Sequence, residues 1–295
     1  MPFNLPQRPK LGISACLLGD PARYNGGHKA SRLCSQSLAQ YFDFVPLCPE
    51  VASSARQSDH PEPEFDEIMA HQLSDICGYI LMQRPPSCGL ERGKLPQANG
   101  HAAEAGDRGI YANVFCAARP DLPLEEEGHL NDPVLRENFL TRVYAYAQWQ
   151  ELCRQGLSHK AIIDFHSRYK YQLMANDPVQ YKALGRLLGS VGEHAPEEIG
   201  PRYFSTLMAA LKKCATRGSH SNVLQHLCGY LKRHLDRDEK AEIQHLIEQY
   251  HAGLVPLVVP LTLLKHHFNG HPDRYVAQQA YLQPHPEGLS LRNAL

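Results

Sequence analysis

Three cysteines sit just after short apolar runs: Cys16 in Ser14-Ala15-Cys16-Leu17-Leu18-Gly19, Cys48 in Cys48-Pro49-Glu50, and Cys88 in Pro86-Ser87-Cys88-Gly89. Brought together, three thiolates can hold an iron–sulfur cluster and leave one iron open for chemistry, whereas a cluster that only carries electrons normally takes four cysteines. Three unrelated buried cysteines are the plain alternative. Glu50, two residues beyond Cys48, is a candidate general base for a water at the rim of such a pocket, or else a helix-capping or surface carboxylate. Ser14 and Ser87 lie beside ligand candidates and can donate hydrogen bonds to cluster sulfurs or to a substrate. Gly19, Gly26, Gly27 and Gly89 suit close backbone approach. The stretch Asn25-Gly26-Gly27-His28-Lys29 either holds an anion or is a surface turn.

The elements around these residues alternate. Leu11–Ala15 and Phe44–Leu47 read as short strands, and Ser31–Phe42 and Asp66–Asp75 as helices. Ile76–Met82 is a continuous apolar run of the kind covered on both faces in a parallel sheet, and Gly109–Phe115 is a fourth candidate strand. Such alternation predicts an α/β sheet with crossover connections. All three cysteines then fall at the carboxyl ends of strands, the edge where open α/β sheets form their ligand crevice. Asp132-Pro133 signals the start of a helix running through Trp149 toward Gly156. Beyond it the pattern is helical throughout: His159–Ala175, Pro178–Leu188, Pro201–Arg217, Ser221–Leu235, Asp238–Ala252, Leu257–Phe268 and Pro272–Leu282. The expected fold is therefore an α/β N-terminal domain with a small parallel-type sheet (residues 1–150), followed by an all-α C-terminal domain (151–295).

With 43% hydrophobic and 21% charged residues in 295, the chain belongs with globular proteins and can build a core in each domain. No apolar run approaches the length needed to span a bilayer; Leu254–Leu264, the most apolar stretch, is short, broken by prolines, and reads as a buried helix. The start of the chain lacks a signal-peptide pattern, so the expectation is a cytoplasmic protein with no membrane partner. Nine cysteines, an odd number, then favour reduced thiols or metal ligands over disulfides. Cys34, Cys77, Cys116, Cys153, Cys214 and Cys228 lie in apolar stretches and read as small buried hydrophobes.

Charge is uneven. Residues 151–295 carry 17 Lys+Arg against 13 Asp+Glu, whereas residues 1–150 carry 13 against 18. A polyanionic partner is therefore expected on the C-terminal half. There, His166-Ser167-Arg168-Tyr169-Lys170-Tyr171 mixes basic and aromatic residues in two helical turns, as phosphate contact and base stacking on RNA require. Lys212, Lys213, Arg217, Lys232, Arg233 and Lys265 extend the basic character, each also readable as part of a solvated helix face. Nothing in the pattern assigns DNA.

These residues resemble a known family. Ser14–Gly19, Arg23-Tyr24-Asn25-Gly26, Cys48-Pro49-Glu50-Val51 and Ser87-Cys88-Gly89 are similar to the bacterial thiouracil desulfidases. The runs His166–Tyr171, Asn222–His226, Val255–His267 and Tyr281–Pro286 resemble the helical domain fused to its long members. The resemblance implies a 4Fe–4S cluster on Cys16, Cys48 and Cys88, catalytic roles for Glu50 and Ser87, and substrate contacts from Ser14, Asn25, Gly26 and Gly89. It also implies removal of sulfur from 4-thiouridine in tRNA, with the helical domain holding RNA through His166, Arg168, Lys170, Lys212, Lys213, Lys232, Arg233 and Lys265. Free thiouracil or a thionucleoside is the alternative substrate, and an impaired iron–sulfur protein that binds RNA or a partner is the alternative role. Two departures motivate the last: Pro85 stands where the family has a serine, and Ala52–Gln57 replaces a longer glycine-rich loop.

Overall fold

Alternation of apolar residues over Leu11–Ile13 and an unbroken apolar run before Met82 give the chain strands that must be covered on both faces. The structure, a computed structural model, describes residues 5, 7–21, 29–47, 71–83, 90, 110–289 and 291–295. The chain divides into two units, Leu5–Asp132 and Pro133–Leu295.

In the first unit, β1 (Lys10–Ile13), β2 (Asp43–Pro46), β3 (Tyr79–Leu81) and β4 (Leu124–Glu126) form a parallel sheet in the order β2-β1-β3-β4. Lys10 pairs with Asp43, Ile13 with both Pro46 and Ile80, and Tyr79 with Leu124. Leu11, Ile13, Tyr79, Ile80 and Leu81 are fully buried. The segment after Ser31 is helical, although its turns are π-type over Leu33–Ser37 and 3-10 over Leu38–Gln40. Of the helix expected over Asp66–Asp75, His71 and Gln72 are helical and the residues before them lie outside the described set.

One expected strand is a helix. Ile110–Ala118 forms α1, and the fourth strand is Leu124–Glu126, whose glutamates hid it in the sequence. Apolar Val114, Phe115 and Cys116 fit either period over so short a run, and the packing of Phe115 on Tyr79 (ring centroids 4.7 Å apart) favours the helix. Arg119, just past α1, donates to the carbonyls of Leu73, Ser74 (3.3 Å) and Ile76 (3.2 Å), fixing the chain as it enters β3.

The second unit is helical: α2 (Pro133–Arg154), α3 (His159–Asn176), α4 (Pro178–Gly189), α5 (Pro196–Leu211), α6 (Arg217–Leu231), α7 (Arg237–His251), α8 (Val258–Gly270) and the short α9 (Arg274–Ala277). Their starts are capped as the sequence suggests. Ser158 accepts from the Ala161 N–H, Asp177 from Val179 and Gln180, and Thr216 and Asp236 open capping boxes. Pro201 does not start a helix but lies inside α5, which begins at Pro196, and Arg217 opens α6 instead of closing α5. The helix α3 is shared between two apolar clusters, Tyr171 and Met174 facing one, Phe165, Tyr169 and Leu173 the other. No described helix is long and apolar enough to cross a membrane.

Two of the six cysteines read as buried are exposed. Cys34 and Cys77 are buried and Cys116 and Cys228 half-buried, whereas Cys153 and Cys214 lie at exposed positions at or beyond helix ends. Burial pushes the Cys34 thiol up to about 11, so it stays protonated as a core residue does.

Candidate metal centre

β1 ends at Ile13, and the next residues turn tightly over Ala15–Leu17, placing Cys16 at the carboxyl edge of the sheet. Cys16 is 3% exposed, and its Sγ lies 3.3 Å from the Met82 Sδ just past β3. Ser14 ties the same two strands: its N–H donates to Ile80 O (3.0 Å), and its buried Oγ accepts from the Met82 N–H (3.1 Å). Two soft sulfurs thus meet where β1 and β3 end, a donor chemistry that suits iron–sulfur ligation.

The chain returns to this turn from the other side of residues 22–28. The Lys29 N–H donates to Cys16 O (3.0 Å) and the Ser31 N–H to Leu17 O (2.8 Å). Asn25 and Gly26 lie outside the described residues, but both flanks of their segment are anchored beside Cys16. Gly19 opens the segment with φ of 107°, a left-handed conformation that glycine adopts freely.

Cys48, Glu50, Ser87, Cys88 and Gly89, with Pro85, also lie outside the described residues. Their neighbours are fixed to the same edge. Leu47, which precedes Cys48, donates its N–H to Ile13 O (2.9 Å) and accepts from the Tyr79 hydroxyl (2.6 Å). Tyr79 reaches it by crossing β1 at Gly12, where any Cβ would stand 2.3 Å from the ring. Leu90, two residues past Cys88, donates its N–H to the buried Glu126 carboxylate at the end of β4 (2.7 Å). Glu126 sits in a run of carboxylates on this edge: Glu127 pairs with Lys29 at 3.7 Å, and Glu125 lies 2.8 Å from His129. Tyr79, Gly12 and Glu126 are positioning residues that sequence reading missed; the apolar context hid the first two, and the glutamate run looked like a solvated loop.

The edge therefore carries one described ligand candidate, Cys16, together with Leu47 and Leu90, described residues that flank Cys48 and Cys88 in sequence. Among the described residues no three His, Cys, Asp or Glu side chains gather closely enough to hold a metal ion. Cys16 suits a cluster in chemistry and placement, being a buried thiol outside any disulfide at a crevice edge.

In the helical unit the basic residues separate into classes. Lys212, Lys232 and Arg233 are exposed. Lys213 pairs with the buried Asp177 (2.5 Å) and Lys265 with Glu287 (2.8 Å). Lys170 lies over the Tyr171 and Tyr275 rings, and Arg168 donates to Gln148 Oε1 (3.4 Å). His166 stacks on Tyr181 and lies 3.4 Å from the Tyr203 hydroxyl; burial, then Lys170, lower its pKa to about 4. Tyr169 and Tyr171, expected to stack on bases, are core residues at 1% and 2% exposure, because the helical period turns Tyr169 inward with Ile162 and Leu173 and Tyr171 into the other cluster with Met174.

A second group was not foreseen. Glu137 on α2 is buried with Arg292 Nε at 3.2 Å and His285 Nε2 at 3.7 Å from its Oε1. Burial acts to raise the Glu137 pKa, but His285, Arg292 and His220 outweigh it and hold the carboxyl down at about 2. The imidazole of His220 lies 2.8 Å from the Tyr281 hydroxyl, and burial, then Arg292, lower its pKa to about 4. These residues come from three stretches far apart in sequence, around Glu137, around His220 and over Tyr281–Arg292, so no local motif marks them.

Comparison with known proteins gives a match at each end. Residues 11–58 match the family described as 2-thiouracil desulfurase, a span that contains Cys16, Cys48 and Glu50 and stops before Cys88. Residues 170–286 match a family described as a protein of unknown function (DUF1722). No solved structure matches. The uncharacterized protein YbgA of Escherichia coli (strain K12) is 30% identical over 159 residues, which are 54% of this chain and 94% of that protein. With that coverage, the chain belongs to the YbgA family and carries in addition an N-terminal region similar to a 2-thiouracil desulfurase.

Proposed function

We propose that this chain is a desulfidase that replaces the sulfur of 4-thiouridine in tRNA by oxygen. The observation that carries the reading is the carboxyl edge of the sheet, where Cys16 sits and where Leu47 and Leu90, close in sequence to Cys48 and Cys88, are held. The match of residues 11–58 to the 2-thiouracil desulfurase family supports sulfur removal.

Cys16, Cys48 and Cys88 would hold a 4Fe–4S cluster, whose open iron supplies a Lewis acid for the carbon–sulfur bond. The balanced reaction is thiocarbonyl plus water to carbonyl plus hydrogen sulfide, with no net redox change. Glu50 takes a proton from the attacking water and returns it to the departing sulfur. Ser14, whose Oγ already accepts from Met82, keeps its hydroxyl proton to donate toward sulfur or substrate. Lys212, Lys232 and Arg233 supply exposed cations for the RNA backbone, giving salt-sensitive affinity. The thiolated base must leave its stack to reach the edge, at a cost of a few kcal/mol.

The test is turnover by the anaerobically reconstituted chain on tRNA containing 4-thiouridine, on free 4-thiouridine and on free thiouracil. Loss of the tRNA thionucleoside with matching sulfide release is expected. Activity confined to the free compounds refutes the tRNA substrate. Salt-sensitive tRNA binding by a fully loaded chain without turnover indicates the impaired binder that Pro85 and the Ala52–Gln57 loop suggest.

A further inference from the structure

The helical unit contains a cleft of about 370 Å³ between α8 and the chain from Leu282 to Asn293, and nothing in the desulfidase reading uses it. The size falls within the range of small-molecule pockets. Its walls divide by chemistry. Val258, Leu261, Leu282 and Leu291 supply apolar lining, and Lys265, His285 and Arg292 supply nitrogen.

One of those donors is incomplete. Arg292 is 7% exposed; its Nε meets Glu137 and its Nη1 the Tyr281 carbonyl, but its buried Nη2 has no partner. His285 is 5% exposed and its Nδ1 lies 3.3 Å from Pro286 O. Its Nε2 faces the Glu137 carboxylate at 3.7 Å, which leaves Arg292 Nη2 as the buried donor of this cleft without a partner. Native proteins rarely leave such groups unsatisfied, because each orphan costs its full desolvation. An orphan on a residue that lines the cleft points to a partner supplied from the cleft. The remaining donor, Lys265, pairs with Glu287 on the rim, whose side chain is 70% exposed and free to swing out when a competing anion arrives.

We propose that this cleft binds a small organic phosphate monoester, its phosphate taken by Arg292 and Lys265 and its organic body laid on Leu261, Leu282 and Leu291. Phosphate fits better than carboxylate because its three terminal oxygens can meet the Arg292 and Lys265 cations together. Glu137 behind Arg292 fixes the guanidinium in place, and displacement of Glu287 leaves Lys265 for the ligand.

Isothermal titration of the full chain with uridine 5′-monophosphate, inorganic phosphate and benzoate tests this. The nucleotide is expected to bind most tightly, inorganic phosphate more weakly for want of the apolar body, and benzoate most weakly. Lys265→Ala, a change at a partly exposed position, should weaken nucleotide binding about tenfold, the worth of one charge-assisted hydrogen bond. Thr262→Trp, which fills the cleft from an exposed position, should abolish it while leaving the helical signal and thermal midpoint unchanged. No binding of any probe at millimolar concentration overturns the proposal, as does nucleotide binding that both variants retain. Benzoate binding as tight as the nucleotide overturns the phosphate assignment. All lining residues lie in Val258–Asn293, so binding here and sulfur removal succeed or fail separately.

Discussion

Replacing Tyr79 by Phe removes one oxygen atom and tests how Cys48 is placed. The Tyr79 hydroxyl donates to Leu47 O at 2.6 Å, its ring is fully buried, and Leu47 is 8% exposed. Loss of a buried neutral hydrogen bond costs about 0.5–1.5 kcal/mol, and an abandoned buried acceptor raises that to about 1–3. We therefore expect a loss of about 1–2 kcal/mol in denaturant unfolding of the first unit, together with reduced iron and sulfide content after reconstitution, because the residue before Cys48 is no longer pinned. Gly12→Ala attacks the same contact from the other side: its Cβ would stand 2.3 Å from the Tyr79 ring, an overpacking worth about 1–3 kcal/mol. Since the added methyl would already push the hydroxyl off Leu47, the two changes should not add; the double variant should lose less than the sum. Unchanged stability and full iron content in Tyr79→Phe would refute the anchoring role. Additive losses would refute the shared contact.

Further outcomes follow from the buried polar groups. Ser14→Ala removes the acceptor of the Met82 N–H and should cost about 1–2 kcal/mol in denaturant unfolding, with faster loss of iron to a chelator. Glu137→Gln leaves Arg292 buried without its counter-charge and should destabilise the helical unit by about 3–5 kcal/mol, read as a lower thermal midpoint. His220 and His166 have folded pKa values near 4, below the usual 6.5, so the unfolded chain binds more protons between those limits. Stability of the helical unit should therefore fall as pH drops from about 6.5 to about 4, by about 3 kcal/mol for His220 and less for the more exposed His166. Denaturant midpoints that stay flat over that window in the wild type, or that keep their slope in His220→Gln, would contradict this.

Where the sequence carried a local signal, it was legible. β1 to β3 and the capped helices from Pro133 onward announce themselves by apolar period, Asp-Pro starts and glycine stops, whereas the order of the sheet was not read from the sequence. Ile110–Ala118 misled because an apolar run of nine residues fits a strand or a helix, and only its packing on Tyr79 decides. β4 was invisible because Glu126 looks solvated in sequence, whereas in the fold its buried carboxylate holds Leu90. For the same reason, the tie from Tyr79 across Gly12 to Leu47 and the Glu137–Arg292 pair, 155 residues apart, could not be read from spacing. Tyr169 and Tyr171 show the reverse error: composition suggested a stacking surface, and helical period placed them in the core.

The central claim, three cysteines on one sheet edge serving sulfur removal from tRNA, meets its most direct test in a single assay. Wild-type chain and Cys16→Ser, Cys48→Ser and Cys88→Ser variants are reconstituted anaerobically and incubated with tRNA containing 4-thiouridine, while thionucleoside and sulfide are measured together. The wild type is expected to convert 4-thiouridine to uridine with one sulfide released per base, and each serine variant to fail both to hold the cluster and to react. Intact 4-thiouridine in the presence of fully loaded wild type, or conversion by any one of the variants, would contradict it.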